Sequence, residues 1–198
     1  MAAGERSTSI RRETSETSIE LEFNIDGAGE SDCQTGIGFF DHMLTAFSRH
    51  GLFDLRIRCT GDLEVDAHHT VEDVGICLGK AIEEALGDKS GIERFGASYV
   101  PMDEALARVV IDLSGRPYLA MNAVFNENLV GELPVTLVRE FFRSVTDHGR
   151  FNLHIDLFHG TNDHHGIEAI FKAGGRALDA ATRRSERVHG IPSTKGSL

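Results

Sequence analysis

The sequence predicts an α+β chain in which two similar halves form a single domain. Three observations carry that expectation. Segments of strict apolar–polar alternation, the mark of half-buried strands, interleave with segments of helical periodicity. The order of those segments occurs twice along the 198 residues. Two short stretches also resemble each other closely, DAHHTVED beginning at Asp66 and NDHHGIEA beginning at Asn162.

Residues 1 to about 15 are polar, rich in Ser, Thr and Glu, and read as a loose arm. Ile19, Leu21, Phe23 and Ile25 then alternate with Glu20, Glu22, Asn24 and Asp26, which is a strand with one buried face. Residues 27–38, rich in Gly and small turn formers, read as a loop or hairpin. Residues 39–50 form a helix with Phe40, Met43, Leu44 and Phe47 on its apolar side, ended by Gly51. Phe53, Leu55 and Ile57 mark a second strand over 52–59. The first histidine pair then opens a helix with Val71, Val74, Leu78, Ile82 and Ala85 at core spacing, stopped by Gly87.

The second half follows the same order. Glu104, Ala107, Val109, Ile111, Leu113 and Gly115 lie 88 residues after Glu16, Ile19, Leu21, Phe23, Ile25 and Gly27. Phe151, Leu153 and Ile155 lie 98 after Phe53, Leu55 and Ile57, as does His148-Gly149 after His50-Gly51. His164, His165 and Glu168 lie 96 after His68, His69 and Glu72. Loops absorb the drift, since insertions there cost little. The expected organisation is one domain over 1–198, with halves of about 11–92 and 93–187 and a tail over 188–198.

Each histidine pair is followed by a glutamate four residues after its first member. On a helix, i and i+4 share a face, so His68 with Glu72, and His164 with Glu168, can reach one ion. His69 and His165 sit about 100° further round and face something else. Imidazole with carboxylate is a common transition-metal donor set, and a motif that splits its histidines suits two ions. The repeat also pairs His42 with Glu140, so both become candidate ligands. Pooled, the candidates make one cage of His42, His69, His164 and Glu168 and another of His68, Glu72, His165 and Glu140. Cages of this kind suit octahedral Mn²⁺, or Fe²⁺ and Zn²⁺ by substitution. Asp41, Asp66, Asp73 and Asp163 are expected to accept the second imidazole N–H, with helix capping as the alternative for Asp66 and Asp163.

The net charge of −11 argues against nucleic acid or an anionic membrane as partner. No apolar run is long enough to span a bilayer, and no basic-then-apolar leader opens the chain. Cys33, Cys59 and Cys77 are odd in number and unrelated in spacing, which predicts reduced thiols and a cytoplasmic setting. Among the cations, Arg94, Arg116, Lys172 and the tail segment PSTKG from Pro192 are candidates for a phosphate pocket, with solvated surface charge as the bland alternative.

From about Arg11 to Leu198 the chain resembles the imidazoleglycerol-phosphate dehydratases. The likeness is carried by GFFDHML from Gly38, HGLFD from His50, DAHHTVED, GIERFG from Gly91, DEA from Asp103, LSGRPY from Leu113, NDHH with Glu168 and Lys172, and PSTKG. The resemblance implies helices packed between two mixed β-sheets, two Mn²⁺ per active site, and trimers assembling into a 24-mer with sites built from neighbouring chains. It implies substrate contacts by Glu16, Arg94, Arg116, Lys172, Ser193, Thr194 and Lys195, the cations and tail mainly at a phosphate. Where this chain has Glu140 the family often has histidine, and His148 or His154 could compensate. The implied reaction is loss of water from imidazole glycerol phosphate to give imidazole acetol phosphate, in histidine biosynthesis. A carboxylate must take a proton from carbon, with Glu16 preferred over Glu72 or Glu168. The rival readings are a dinuclear metallohydrolase acting on a small phosphorylated substrate and a non-catalytic metal-buffering protein.

Overall fold

The computed structural model describes residues 6–198, and its elements fall into two series with the same connections. The first series is β1 (Ser7–Glu13), β2 (Thr17–Asn24), β3 (Ser31–Gln34), α1 (Gly38–Gly51), β4 (Asp54–Gly61) and α2 (His68–Leu86). The second is β5 (Phe95–Met102), β6 (Ala105–Asp112), β7 (Tyr118–Asn122), then α3 (Thr136–Gly149), β10 (Asn152–His159) and α4 (Asp163–Thr182). A small ribbon of β8 (Leu129–Val130) and β9 (Leu133–Pro134) is inserted before α3.

The two main sheets have orders β1-β2-β4-β3 and β5-β6-β10-β7. Each has two antiparallel pairings and one parallel pairing, the parallel one closed by a helical crossover. Leu21 pairs with Ile57 and Phe23 with Leu55; in the second sheet Val109 pairs with Ile155 and Ile111 with Leu153. Those are the residues that the offsets of 88 and 98 equate, so the two sheets share their register. Ile19, Leu21, Phe23, Leu55 and Ile57 are buried, as are Ala107, Val109, Ile111, Leu153 and Ile155. Burial of these inward rows supplies the main driving force for the sandwich.

The four helices lie between the sheets, α2 against α3 and α1 against α4. Phe40, Phe141 and Phe171 meet in the middle, with ring centroids 5.2 and 5.3 Å apart. Glycines set the helix spacing. A Cβ on Gly79 would stand 2.6 Å from the Val145 carbonyl oxygen, and one on Gly175 would stand 2.2 Å from that of Phe47. No helix among the described residues is long and apolar enough to cross a membrane.

Three expectations need correction. The polar start is not a loose arm: β1 pairs along its length with β2, burying Ile10 and holding Arg12 2.9 Å from Asp73. Residues 1–5 of that expected arm lie outside the described residues. Within 27–38, Ser31–Gln34 form an edge strand parallel to β4, polar because only one row of its side chains touches the core. Gly51 does not provide the left-handed cap of α1. Leu52 does, at φ 59°, as Arg150 does for α3 at φ 53°. Gly51 is glycine for room, since a Cβ there would lie 2.3 Å from the Phe53 ring.

Candidate active site

At the start of each histidine-bearing helix a side chain accepts a histidine backbone N–H: that of Asn162, the N-cap of α4, and that of Asp66, one residue ahead of Ala67, the N-cap of α2. The Asp66 carboxylate accepts the His68 backbone N–H at 2.7 Å, and the Asn162 side-chain oxygen accepts that of His164 at 3.0 Å. Each contact satisfies one of the orphan donors of a first helical turn. The histidine pairs are thereby fixed at the N-terminal ends of α2 and α4.

At the start of α4 three donors converge. His42 Nε2 and His164 Nε2 each lie 3.1 Å from Glu168 Oε2, and the three ligand atoms fall within 4.8 Å of one another. Glu168 is 6% exposed, and its other oxygen accepts from Lys172 Nζ at 2.7 Å. Burial pushes its pKa up, but the bonds from Lys172 and His42 outweigh that and hold it below the ordinary carboxylate value. Two imidazoles and an ionised carboxylate aimed at one point form a donor set that suits a divalent transition ion.

At the start of α2, His68 Nε2 lies 3.7 Å from Glu72 Oε2. Arg143, on α3, reaches 3.9 Å from Glu72 Oε1 and 2.7 Å from Glu140 Oε2. The Glu140 oxygen is buried and has no hydrogen bond of good geometry. A guanidinium therefore stands between the two carboxylates of this group.

The pooled cages do not close within one chain. His69 stands apart from the His42–His164–Glu168 triad: its Nδ1 lies 3.0 Å from Asp62 Oδ2, and its Nε2 lies 3.7 Å from Glu16 Oε1. His165 is likewise separate from Glu72 and Glu140, with Nδ1 2.8 Å from Glu104 Oε2. The 100° turn between adjacent helix residues takes each second histidine away from the first of its pair, and the helices that would complete each cage are not paired: α2 packs on α3, and α1 on α4. Hydrogen bonding raises the pKa of both rings, through Asp62 at His69 and Glu104 at His165. Glu104 is held down to about 2 by His165 and by backbone N–H groups, Asn162 first among them.

The aspartates expected to orient the imidazoles do other work. Asp41 accepts from the Thr35 backbone at 2.8 Å and from its hydroxyl at 2.6 Å. Asp73 accepts from the Thr17 hydroxyl at 2.5 Å and pairs with Arg12. Asp163, buried, accepts the backbone N–H groups of Asn126 and Glu127, both at 2.7 Å. Asp66 accepts the His68 backbone N–H from just ahead of α2, as described. The carboxylates that contact an imidazole Nδ1 are Asp62, at His69, and Glu104, at His165, and reading the motifs missed both. Glu104 left a signal, because the repeat equates it with Glu16. Asp62 left none, since its repeat position holds Gly160. His148 Nδ1 is bound to the Ser144 carbonyl at 3.0 Å, and the His154 ring lies 6.1 Å from that of Tyr118; neither is paired with Glu140 among the described residues.

The candidate phosphate cations divide between two places. Lys172 is at the triad. Arg94 donates to Asp112 at 2.7 and 3.2 Å and to the Pro192 carbonyl at 2.8 Å, which draws the tail with Ser193, Thr194 and Lys195 toward it. The chain end at Leu198 passes against Gly115, beside Arg116. The Arg94 backbone bonds to Ala181, and Ala181 lies 13 residues beyond Glu168 on α4. That is about 20 Å along a helix.

Residues 35–178 match the family profile described as imidazoleglycerol-phosphate dehydratase. The chain is 56% identical over 194 residues to the imidazoleglycerol-phosphate dehydratase of Acetivibrio thermocellus, covering 98% of this chain and 100% of that protein. It is 59% identical over 194 residues to that of Chloroflexus aurantiacus, covering 98% and 95%. The crystal structure of imidazoleglycerol-phosphate dehydratase from Staphylococcus aureus superposes with a TM-score of 0.82 at 43% identity, covering 90% of this chain and 99% of that one. With a shared fold and more than half of its residues in common with full-length relatives, the chain belongs to the imidazoleglycerol-phosphate dehydratase family.

Proposed function

We propose that the chain is a metal-dependent hydro-lyase of histidine biosynthesis, converting imidazole glycerol phosphate into imidazole acetol phosphate and water. Membership of a family named for that dehydration supports the reaction. The convergence of His42, His164 and Glu168 is the observation that supports a metal. Family membership also displaces the hydrolase and metal-buffer readings.

His42, His69, His164 and Glu168 would hold one ion and His68, Glu72, His165 and Glu140 the other, with Mn²⁺ as the expected metal; the second ion would take the place that the Arg143 guanidinium holds between Glu72 and Glu140. Ions there would supply Lewis acidity to the two nitrogens of the substrate ring. The chain's own groups divide the remaining work. Arg94, Arg116, Lys172 and the tail residues Ser193, Thr194 and Lys195 would bind the phosphate, Lys172 and the Arg94 group coming from neighbouring copies because they lie at separate places within one chain, and so hold the reacting carbons in place. Glu16 is the preferred base for the carbon-bound proton. It is half exposed and makes no contact closer than 3.7 Å to His69, whereas Glu72 and Glu168 face their own histidines. Loss of the ring-proximal hydroxyl as water and ketonisation of the resulting enol complete the balance.

Because the donor groups are separated within one chain, the complete site would draw residues from a second copy. A homo-oligomer, in the family manner a 24-mer of trimers, fits that requirement. A biosynthetic enzyme of this kind would work in the cytoplasm. The test is conversion of imidazole glycerol phosphate by the purified protein, followed as loss of one water by mass spectrometry and abolished by chelation. Glu16→Gln should retain Mn²⁺ and substrate binding while losing turnover. Normal turnover in that variant removes Glu16 from the base role.

A further inference from the structure

The second histidine of each pair is held from outside its own helix. Asp62 follows β4 and contacts His69 Nδ1 with both oxygens, at 3.0 and 3.2 Å. Glu104 sits in the turn between β5 and β6 and contacts His165 Nδ1 at 2.8 Å. In the triad, imidazole and carboxylate meet through Nε2; here they meet through Nδ1. An ionised carboxylate only accepts hydrogen bonds, so each Nδ1 carries the proton, and in the neutral ring the lone pair is left on Nε2. Both Nε2 atoms lack a hydrogen bond among the described residues, their nearest carboxylate oxygens being 3.7 Å away at Glu16 and 3.9 Å away at Asp103.

We infer that Asp62 and Glu104 are positioning residues that fix the tautomer and direction of His69 and His165 so that each presents Nε2 as a metal ligand. The inference rests on the metal reading above and adds to it the groups that make two first-turn histidines competent. Without them, each ring would be free to rotate at a helix start and to carry its proton on either nitrogen. The two halves reach the same result with unlike parts. Glu104 is the repeat counterpart of Glu16, and in the second half it has taken the orienting task that Asp62 performs in the first.

Glu104 also offers a selective test. Its Oε1 accepts the backbone N–H groups of Thr161 at 3.0 Å and Asn162 at 2.8 Å, while Oε2 serves His165. In Glu104→Gln the two backbone donors keep the amide oxygen on their side, which turns the NH₂ toward His165. The ring must then accept at Nδ1 and carry its proton on Nε2, where the lone pair is lost.

Mn²⁺ binding to the intact oligomer, measured by calorimetry and by electron paramagnetic resonance of the free ion, reads this directly. The wild-type protein should take up two ions per chain. Glu104→Gln should weaken one of them about 10–100-fold and leave the other unchanged. Its melting temperature without metal should stay near wild type, and pulsed resonance should show one imidazole fewer at the weakened ion. Asp62→Ala should weaken the other ion over the same range, and Glu20→Gln, an exposed strand carboxylate, should change neither. Unaltered Mn²⁺ affinity in Glu104→Gln overturns the positioning role while leaving the metal reading intact. Loss of both ions together with a lowered melting temperature also overturns it, showing Glu104 to be only a clamp on the 161–162 loop. Failure of the wild-type protein to bind Mn²⁺ removes the metal reading and this inference together.

Discussion

Cys33, Cys59 and Cys77 are free, and burial pushes their thiols up to about 12, 12 and 11. The thiolate is the reactive species, so at pH 8 all three should resist a disulfide reagent in the native protein and react promptly in denaturant. Rapid modification of any one of them without unfolding would contradict that burial. The same scale shows which parts of the site could be read from sequence. His164 and Glu168 were legible because i and i+4 meet by helix geometry alone, and His42 joined them through the repeat. Asp62 was not, because its contact with His69 depends on how a loop after a strand folds back on a helix start. Arg143 was not either, since a cation three residues from Glu140 is ordinary on a helix until α2 brings Glu72 alongside.

The close approach of helices makes the sharpest prediction at the level of elements. Gly175→Ala would drive a methyl into the backbone of α1 at Phe47, where no flexible side chain can yield. The variant should be destabilised by about 1–3 kcal/mol, as overpacking typically costs, read as a lower denaturation midpoint at unchanged slope. Gly87→Ala has open space around it, but its backbone at φ 55° and ψ −125° is one that essentially only glycine adopts, so it should cost about 1–3 kcal/mol through backbone strain rather than overlap. The four helices and the buried-faced strands were legible because each carries its full period of apolar residues. β1 and β3 were not. β1 has one buried apolar side chain and β3 has none, so each owes its strand form to the partner beside it.

Taken as a whole molecule, the two sheets differ on their outer faces. The first is charged, with Arg11, Glu20, Glu22, Arg56 and Arg58 outward. The second displays aromatic side chains: Tyr99 and Phe158 stack with centroids 6.0 Å apart, and Phe95 and Tyr118 are each 60% exposed. An aromatic face of this kind suits association with further copies. Phe158→Glu should therefore shift the protein to smaller species in native mass spectrometry and lower activity with it; an unchanged assembly would show that this face is not a contact. The pairing of halves was legible in the offsets, down to strand register. That the donor clusters lie apart on the finished molecule was not, since spacing along a chain says which residues share a helix face but not which faces meet.

Glu16 and Glu104 began from equivalent places, and only one has become part of the scaffolding. A half paired with an identical copy of itself would carry the same glutamate twice, and every change at one place would be forced on the other. Within one chain the two positions are free to differ: with Asp62 on His69 in the first half and Gly160 at the equivalent place in the second, Glu104 is anchored on His165 and the 161–162 backbone while Glu16 is left half exposed.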